Sequence, residues 1–316
     1  AAPARRSTAR AAAAAAGRGA SMEGSLPVAL SVSGPELRRL CKAGVPPELR
    51  CLVWPMLLRM RAPLEPSAAD YAAHRAAALR RKRQGGAHEA RTAALISQDL
   101  GRTFPSLGLF SEGGPMRAPL DELLWVVCSL PTGLPYQQGM SHLGGGLLLH
   151  LHEPRLAAAA LHALLVGYPV LRACLSLHVA PALSFFDAAL RAHLPALAAR
   201  LALIDVTPDM YVVPWLLTLF ARSLPLSTAC RIWDRVLADG ERALFCACLG
   251  VMALLQPVLL LAGFEEALQL LQNLPHEGSL LREADLLAAM GRVQLPTAEY
   301  ERLLLCCILH GPGSDG

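Results

Sequence analysis

The stretch "PLSTACRIWDRVLADG" at residues 225–240 decides the fold class, because its periodicity is that of an amphipathic helix. Pro225 opens the stretch and Gly240 ends it, which are the usual positions of these residues at helix boundaries. Between them, apolar residues recur at spacings of three and four from Cys230 to Leu237. The stretch therefore predicts a helix with one buried face.

Arg231 and Asp234 lie three residues apart in the same stretch, so we expect them to pair on the wetter side of this helix. Strand signals are scarce, and the only alternation is a short one from Val28 to Val32. No internal repeat is visible, which excludes a solenoid. The sequence predicts an all-α protein with helices at about 35–42, 47–62, 67–83, 89–101, 117–130, 138–151, 155–165, 170–201, 208–222, 226–238, 242–262, 264–273 and 279–290, and a last one from Thr297.

The composition is that of a chain with a large core. Hydrophobic residues make up 53% of the 316 residues and charged residues only 17%. The net charge of +4 comes from Arg5, Arg6, Arg10 and Arg18, since the rest of the chain holds equal numbers of basic and acidic residues. A neutral body gives no general attraction to nucleic acid, and we expect no nucleic-acid partner.

Cysteine and histidine usage argues against disulfides and metal. The nine cysteines are odd in number, form no CxxC pair and lie partly within apolar helical patterns, which indicates free thiols in a reducing compartment. The ten histidines form no HExxH motif, and His150 and His152 are two apart, a spacing that a helix would not aim at one ion. We expect no metal site and no cofactor of the chain's own.

Two segments leave alternatives open. Residues 1–33 are low in complexity, rich in alanine and dotted with arginine, which favours a disordered segment, or a translated upstream region before Met22, over an organelle presequence. The run 243–264 carries no charge and is long enough to span a bilayer. Gln256 and Pro257 interrupt this run, which favours a buried helix over a membrane span.

The stretch "ISQDLGRTFP" at 96–105 places an arginine at the end of a helix. Asp99 and Arg102 are three apart and therefore neighbours on a helix surface. Gly101 weakens the helix, and Pro105 disfavours helical backbone at the residue before it. We expect Arg102 to point outward with the carboxylate beside it.

The stretch "GLPYQQGM" at 133–140 offers a glutamine in a turn. Pro135 restricts the approach, and Gly139 allows the backbone to turn into the next helix. If the stretch is extended, Tyr136 and Gln138 point the same way. No nucleotide-binding glycine motif and no nucleophile–base set accompanies it. An arginine and a glutamine supplied from outside are what GTP hydrolysis by a small GTPase requires, since the arginine stabilises charge on the transferring phosphoryl group and the glutamine orients the attacking water.

Four blocks in order resemble the signature blocks of TBC domains, the GTPase-activating domains for Rab GTPases. They are "GVPPELRCLVW" (44–54), "ISQDLGRTFP" (96–105), "YQQGM" (136–140) and "PWLLTLFARSLPLSTACRIWDRVLADG" (214–240). The insert "FSEGGP" (110–115) and "TPDMYVVPW" (207–215) further resemble the branch of that family linked to recycling endosomes and autophagosome formation.

The resemblance implies an all-helical, two-lobed, V-shaped domain whose groove receives a GTP-loaded Rab. It implies a domain at 34–292, with lobes at about 34–165 and 166–292, followed by a C-terminal helix and polar tail at 293–316. The chain would itself be no enzyme, and its partner would carry the GTP and Mg²⁺. A cytoplasmic location at endosomal or other endomembrane surfaces follows, with membrane association through partners.

The same resemblance assigns site residues by position. Arg102 matches the arginine finger, Gln138 the glutamine finger and Asp99 the acid that positions the arginine. Three further matches are supporting residues: Arg50, Tyr136 and Gly139. Trp54, Trp215, Trp233 and Asp234 match packing positions, for which we favour a structural role.

The chain departs from the family pattern at Cys51, Pro135 and Gln137. The run Gly144–Gly146 is expected to soften the helix after the glutamine loop. Two functions stay open: a Rab GTPase activator that works through both fingers, and a non-catalytic Rab-binding or scaffold module on the same fold.

Overall fold

The computed structural model describes residues 34–309 apart from 60, 65, 67, 131–133 and 276–279. The strand-like alternation from Val28, the low-complexity segment 1–33 and the polar tail from 310 lie outside the described residues. Apart from the first helix, which begins before it, the features below belong to the compact unit that begins at Cys41.

Helices make up the described structure, and no strand occurs within it, so the prediction of an all-α fold is confirmed. Three short 3₁₀ turns, Pro47–Leu49, Pro105–Leu107 and Pro208–Met210, connect some of the helices. The α-helices in chain order are α1 (Gly34–Ala43), α2 (Arg50–Arg59), α3 (Ala68–Gln84), α4 (Ala87–Gly101), α5 (Arg117–Val127), α6 (Met140–Leu151), α7 (Pro154–Gly167), α8 (Pro169–Leu175), α9 (Ala180–His193), α10 (Pro195–Leu203), α11 (Val212–Leu217), α12 (Leu226–Asp239), α13 (Arg242–Leu259), α14 (Phe264–Gln272), α15 (Glu283–Arg292) and α16 (Thr297–Leu309).

Two predicted helices are wrong in extent. The predicted helix 170–201 is three helices, α8, α9 and α10, because Pro181 and Pro195 occupy first turns, where proline is tolerated. The predicted helix 208–222 ends at Leu217 in α11, because the backbone at Leu219 and Phe220 has positive φ. The predicted boundary between lobes at 165/166 stays a prediction.

A buried carboxylate joins two segments that are far apart in the sequence, residues 45–54 and helix α12. Asp234 on α12 is fully buried and accepts hydrogen bonds from Arg50 Nε (3.3 Å), Trp54 Nε1 (2.8 Å) and the Val45 amide (3.2 Å). Arg231 pairs with it at 3.1 Å, as the spacing predicts. The expected location on the wetter side is wrong for Asp234, because residues 180 or more positions earlier cover it.

The glycine run lies in α6 where neighbouring elements approach its backbone. A Cβ added at Gly144 would lie 3.1 Å from Leu120 Cδ1, and one at Gly145 would lie 3.1 Å from Thr103 Cγ2. A Cβ at Gly146 would lie 2.7 Å from Trp233 Cη2. Each glycine still has a lower helix propensity than alanine, but the absence of side chains lets the helix backbone pack closely against these three neighbours.

Helix α13 is the uncharged run that raised the question of a membrane span. Among the described residues it is the one helix that is by itself long and apolar enough to cross a bilayer. Helices α7 and α8 meet the same criterion only when they are taken together, and they are bent by 94° where they meet. It packs against α15, and 61% of its apolar window is buried. A core helix of this kind satisfies the same length and composition test.

Helix α8 is fixed at both ends. At its start, the buried carboxylate of Glu241 accepts the amide hydrogens of Val170 (3.1 Å) and Leu171 (2.6 Å). Burial raises the pKa of Glu241 to about 7. At its end, the His178 amide donates to the Ala173 carbonyl (2.9 Å), which closes the helix before a turn.

Candidate functional site

Asp99 is the centre of the candidate site. It lies in the last turn of α4, is almost fully buried and accepts hydrogen bonds on both carboxylate oxygens. Arg102 Nη2 donates to Oδ1, and the Tyr136 hydroxyl donates to Oδ2 at 2.6 Å. The Gly139 amide also points at Oδ2, at 3.4 Å. One carboxylate therefore holds the arginine and the glutamine loop together.

Arg102 lies immediately after α4, where its own amide bonds back to the carbonyls of Asp99 and Leu100. Its side chain is 39% exposed, so the guanidinium reaches solvent while one nitrogen stays on Asp99. Phe104 then adopts φ 44°, a left-handed conformation that is rare for a bulky residue and that precedes Pro105. The expected position of Arg102, outward at a helix end beside a carboxylate, agrees with this geometry.

The glutamine loop is irregular at 134–137 and turns at Gln138 and Gly139. Gly139 has φ 103°, which only glycine adopts readily, and it begins α6. The expectation that Tyr136 and Gln138 point the same way is wrong. Tyr136 is buried on Asp99 and Gln138 is exposed, because the turn interrupts the extended backbone that the expectation assumed.

Burial raises the pKa of Tyr136 well above its ordinary value, and its hydrogen bond to Asp99 acts in the same direction. Tyr136 therefore remains a protonated donor to the carboxylate throughout the physiological range. The loop's attachment to α4 does not change with pH in that range.

Arg50 lies elsewhere. Its guanidinium is buried in the Asp234 cluster, contacts His150 Nε2 at 3.1 Å and lies 5.5 Å from the centre of the Trp54 ring. It does not line the cleft that holds Arg102 and Gln138. One connection to the site runs through α6, which carries His150 at its far end and follows Gly139.

Arg102 and Gln138 face a cleft of about 350 Å³. The polar side of this cleft also contains Asp99 and the buried His142 of α6. Burial lowers the pKa of His142 to about 4, and the nearby Arg222 adds to this effect. His142 is therefore neutral at physiological pH, and the positive charge in the cleft belongs to the arginines.

The rest of the cleft lining comes from segments to which the sequence assigned no site residue. Helix α8 and the turn after it contribute Leu175 and Leu177, and α11 contributes Val213 and Leu217. Arg222, an exposed residue after α11, also lines the cleft. None of these residues forms a motif with Arg102, although Val213 lies in the stretch 207–215, and Leu217 and Arg222 lie in the block 214–240.

Backbone strain is concentrated around the cleft. Six non-glycine residues with positive φ occur in the described part of the chain. Four of them line the cleft or lie within two residues of a lining residue: Phe104, Leu177, Leu219 and Phe220. Strained backbone of this kind accumulates at functional sites, which supports the assignment of the cleft independently of any motif.

The cleft offers an exposed cation and an exposed carboxamide with no nucleophile–base pair of its own. No group of three or more His, Cys, Asp or Glu that could hold a metal ion occurs within the residues that the structure describes. All nine cysteines are free thiols. The arrangement can stabilise negative charge and orient a small polar molecule in a reaction whose other components come from a partner.

Comparison with known families gives one match across most of the chain. The model of the Rab-GTPase-TBC domain matches residues 47–260. TBC1 domain family member 14 of Bos taurus is 31% identical over 276 residues, which cover 82% of this chain and 39% of that protein. TBC1 domain family member 12 of Xenopus tropicalis is 36% identical over 186 residues, which cover 58% of this chain and 27% of that protein. The chain thus spans less than half the length of these curated relatives.

Solved structures resemble the fold. The crystal structure of the Chlamydomonas flagellar RabGAP TBC domain superposes with a TM-score of 0.70 at 23% identity, covering 92% of this chain and 91% of that one. The Ypt/Rab-GAP domain of Gyp1p superposes with a TM-score of 0.69 at 16% identity, covering 89% and 96%. At these identities the likeness concerns the fold.

Proposed function

Because the chain belongs to the Rab-GTPase-TBC domain family, we propose that it accelerates GTP hydrolysis by a GTP-loaded Rab GTPase docked over the cleft. Arg102 acts as an arginine finger and Gln138 as a glutamine finger, both supplied in trans. The chain is then a regulator of an enzyme, and the partner contributes the GTP and Mg²⁺. The proposed setting is vesicle trafficking at endomembranes, including recycling endosomes and autophagosome formation, with membrane attachment through partners.

The chemistry follows from where charge develops. The transferring phosphoryl group spreads negative charge over its oxygens, and the exposed guanidinium of Arg102 can reach a group seated in the cleft. An arginine supplied in this way contributes roughly 10³–10⁵ in rate, or about 4–7 kcal/mol of barrier. The carboxamide of Gln138 both donates and accepts hydrogen bonds, which is what orienting an attacking water requires.

One observation supports this proposal most. Asp99 binds Arg102 on one oxygen and the glutamine loop on the other, so the two proposed fingers share a single buried anchor. A surface ion pair with no role would not need its carboxylate buried beneath a second segment. Shared anchoring sets the distance between two groups that must act on one phosphate, and such positioning has large effects on rate.

The test is single-turnover GTP hydrolysis across a panel of purified Rab proteins. We expect the wild-type chain to accelerate one or a few of them by orders of magnitude. Arg102→Ala and Arg102→Lys should each lose most of this acceleration, since a lysine lacks the planar fork of donors. Gln138→Ala should lose it as well.

Matched controls are available on α4. Arg91 and Gln98 are exposed and lie outside the cleft, so Arg91→Ala and Gln98→Ala should keep the wild-type acceleration. Binding of each variant to GTP-loaded Rab is measured in parallel. A chain that binds GTP-loaded Rab without accelerating any member of the panel would be the non-catalytic module, and the finger proposal would fail.

A further inference from the structure

Helix α8 ends in a turn that normally contains glycine. The His178 amide bonds to the Ala173 carbonyl and the Leu177 amide bonds to the Cys174 carbonyl (3.1 Å), the two hydrogen bonds of a Schellman ending. Leu177 occupies the position after the cap with φ 67°. Glycine is favoured there because a Cβ is crowded in left-handed backbone. The chain therefore keeps a leucine where its own backbone favours glycine.

Packing within the chain does not explain this leucine, because its side chain is 80% exposed. The other positive-φ residues in the described structure differ from it in one of two ways. Three are apolar but buried, so that packing holds them: Phe104, Leu219 and Phe220. Two are exposed but belong to types that tolerate left-handed backbone: His152 and Asp205.

Leu177 also lines the cleft that contains Arg102 and Gln138. Val213 and Leu217 of α11 add further apolar surface to the same cleft. An exposed leucine continuous with the proposed docking site is suited to contact an apolar side chain that a partner presents next to its nucleotide. The exposure and the strain in the free chain then have a common explanation, since docking buries the side chain.

We propose that Leu177 is an anchor that packs against an apolar side chain of the GTP-loaded Rab docked in the cleft. The proposal rests on the proposed function and adds a residue that determines affinity rather than chemistry. Leu177 touches the protein surface of the partner, while Arg102 and Gln138 act at its phosphate.

The test separates stability from affinity through the variant Leu177→Gly. Thermal denaturation of the isolated chain should show an unchanged or higher Tm, by up to about 3 °C, because glycine relieves the left-handed backbone. In the hydrolysis assay the KM for the responding Rab should rise about tenfold, with kcat within about twofold of wild type. Leu177→Asp should raise KM further, because a carboxylate would be desolvated against an apolar partner.

Two control variants isolate the two effects. His152→Gly makes the same kind of change at a positive φ at the end of α6, outside the cleft; because histidine tolerates this backbone, the Tm and the KM should both stay close to those of wild type. Leu203→Ala removes another leucine side chain, 75% exposed and also outside the cleft, and should leave KM unchanged.

The outcomes are distinct. A clear fall in Tm for Leu177→Gly would mean that the side chain packs within the chain, and a wild-type KM would mean that it contacts no partner; either result overturns the inference while the proposed function stands. If wild type binds Rab without acceleration, the Kd for GTP-loaded Rab replaces KM in the same comparison. If wild type neither binds nor accelerates any Rab, the proposed function and this inference both fail.

Discussion

Replacing Asp99 with asparagine tests the shared anchor directly, because the two side chains have nearly the same shape. The carboxylate accepts from Arg102 on one oxygen and from Tyr136 and Gly139 on the other. An amide has one oxygen and one NH₂ group. In either orientation of the substituted amide, a donor of the site therefore faces another donor.

The magnitude follows from burial. The amide oxygen can still face Tyr136 and Gly139, so this buried hydrogen bond changes from a charged to a neutral acceptor, which costs about 1 kcal/mol. Arg102 then faces the NH₂ group, but it is partly exposed and can turn to water, so its share is within about 1 kcal/mol. We therefore expect Asp99→Asn to lower the free energy of unfolding by about 1–2 kcal/mol. Displacement of the fingers should also reduce Rab acceleration about 10²-fold.

The assay is urea denaturation together with single-turnover hydrolysis at a concentration where the variant remains folded. Asp187→Asn is the matched control, because Asp187 pairs with Arg191 on the surface of α9 and such pairs contribute about 0.5 kcal/mol or less. A loss for Asp99→Asn no larger than that of the control would refute the shared anchor. Undiminished acceleration by the folded variant would refute the role of Asp99 in positioning the fingers.

Three further predictions concern the support of the site. Gly146→Ala should lower the free energy of unfolding, measured in urea, by about 1–3 kcal/mol, because its Cβ would lie 2.7 Å from the buried Trp233 ring. The control is Gly291→Ala, whose Cβ meets open space and which should raise the free energy of unfolding by up to about 1 kcal/mol. Glu241 has a folded pKa of about 7 against an ordinary 4.5, so its carboxyl stabilises the fold below pH 4.5 and this contribution is lost as pH rises through 7. The difference in unfolding free energy between wild type and Glu241→Gln should therefore fall by on the order of 2–3 kcal/mol from pH 5 to pH 8, and a constant difference would contradict this assignment. Arg50→Ala should lower the midpoint of urea unfolding by the equivalent of about 1.5–3 kcal/mol, because the buried carboxylate of Asp234 loses one of its two arginine partners while Arg231 remains.

Local pattern predicted most helices and failed where long-range packing decides. Boundaries marked by Gly240 or by Gly101 were close to those observed, since these signals act on neighbouring residues. No glycine or asparagine marks the end of α11, because the positive φ of Leu219 and Phe220 is held by their burial. The prolines at 181 and 195 indicate helix starts, but the apolar periodicity continues across them and predicts one long helix.

The same division applies to the candidate site. Spacing alone predicted that Asp99 and Arg102 would be neighbours and that Gly139 would form a turn. It could not show that Tyr136, 37 positions after Asp99, would cover the carboxylate, nor that Leu177 and Gln138 would line the same cleft. Burial of a carboxylate depends on which distant segments pack over it, and a short motif carries no information about that packing.

The close packing of α6 determines where movement near the site can occur. The glycine backbone of this helix lies directly against the buried side chains of Leu120 on one side and Trp233 on another, so a slide or roll of the helix would press its backbone into them. On either side of Gln138, Tyr136 and Gly139 are both held on the buried Asp99. Any shift of Gln138 on docking is therefore confined to the backbone of Gln137 and Gln138 and to the glutamine side chain itself. The proposed glutamine finger is a two-residue arch between two fixed points, and its reach is set by the length of one side chain.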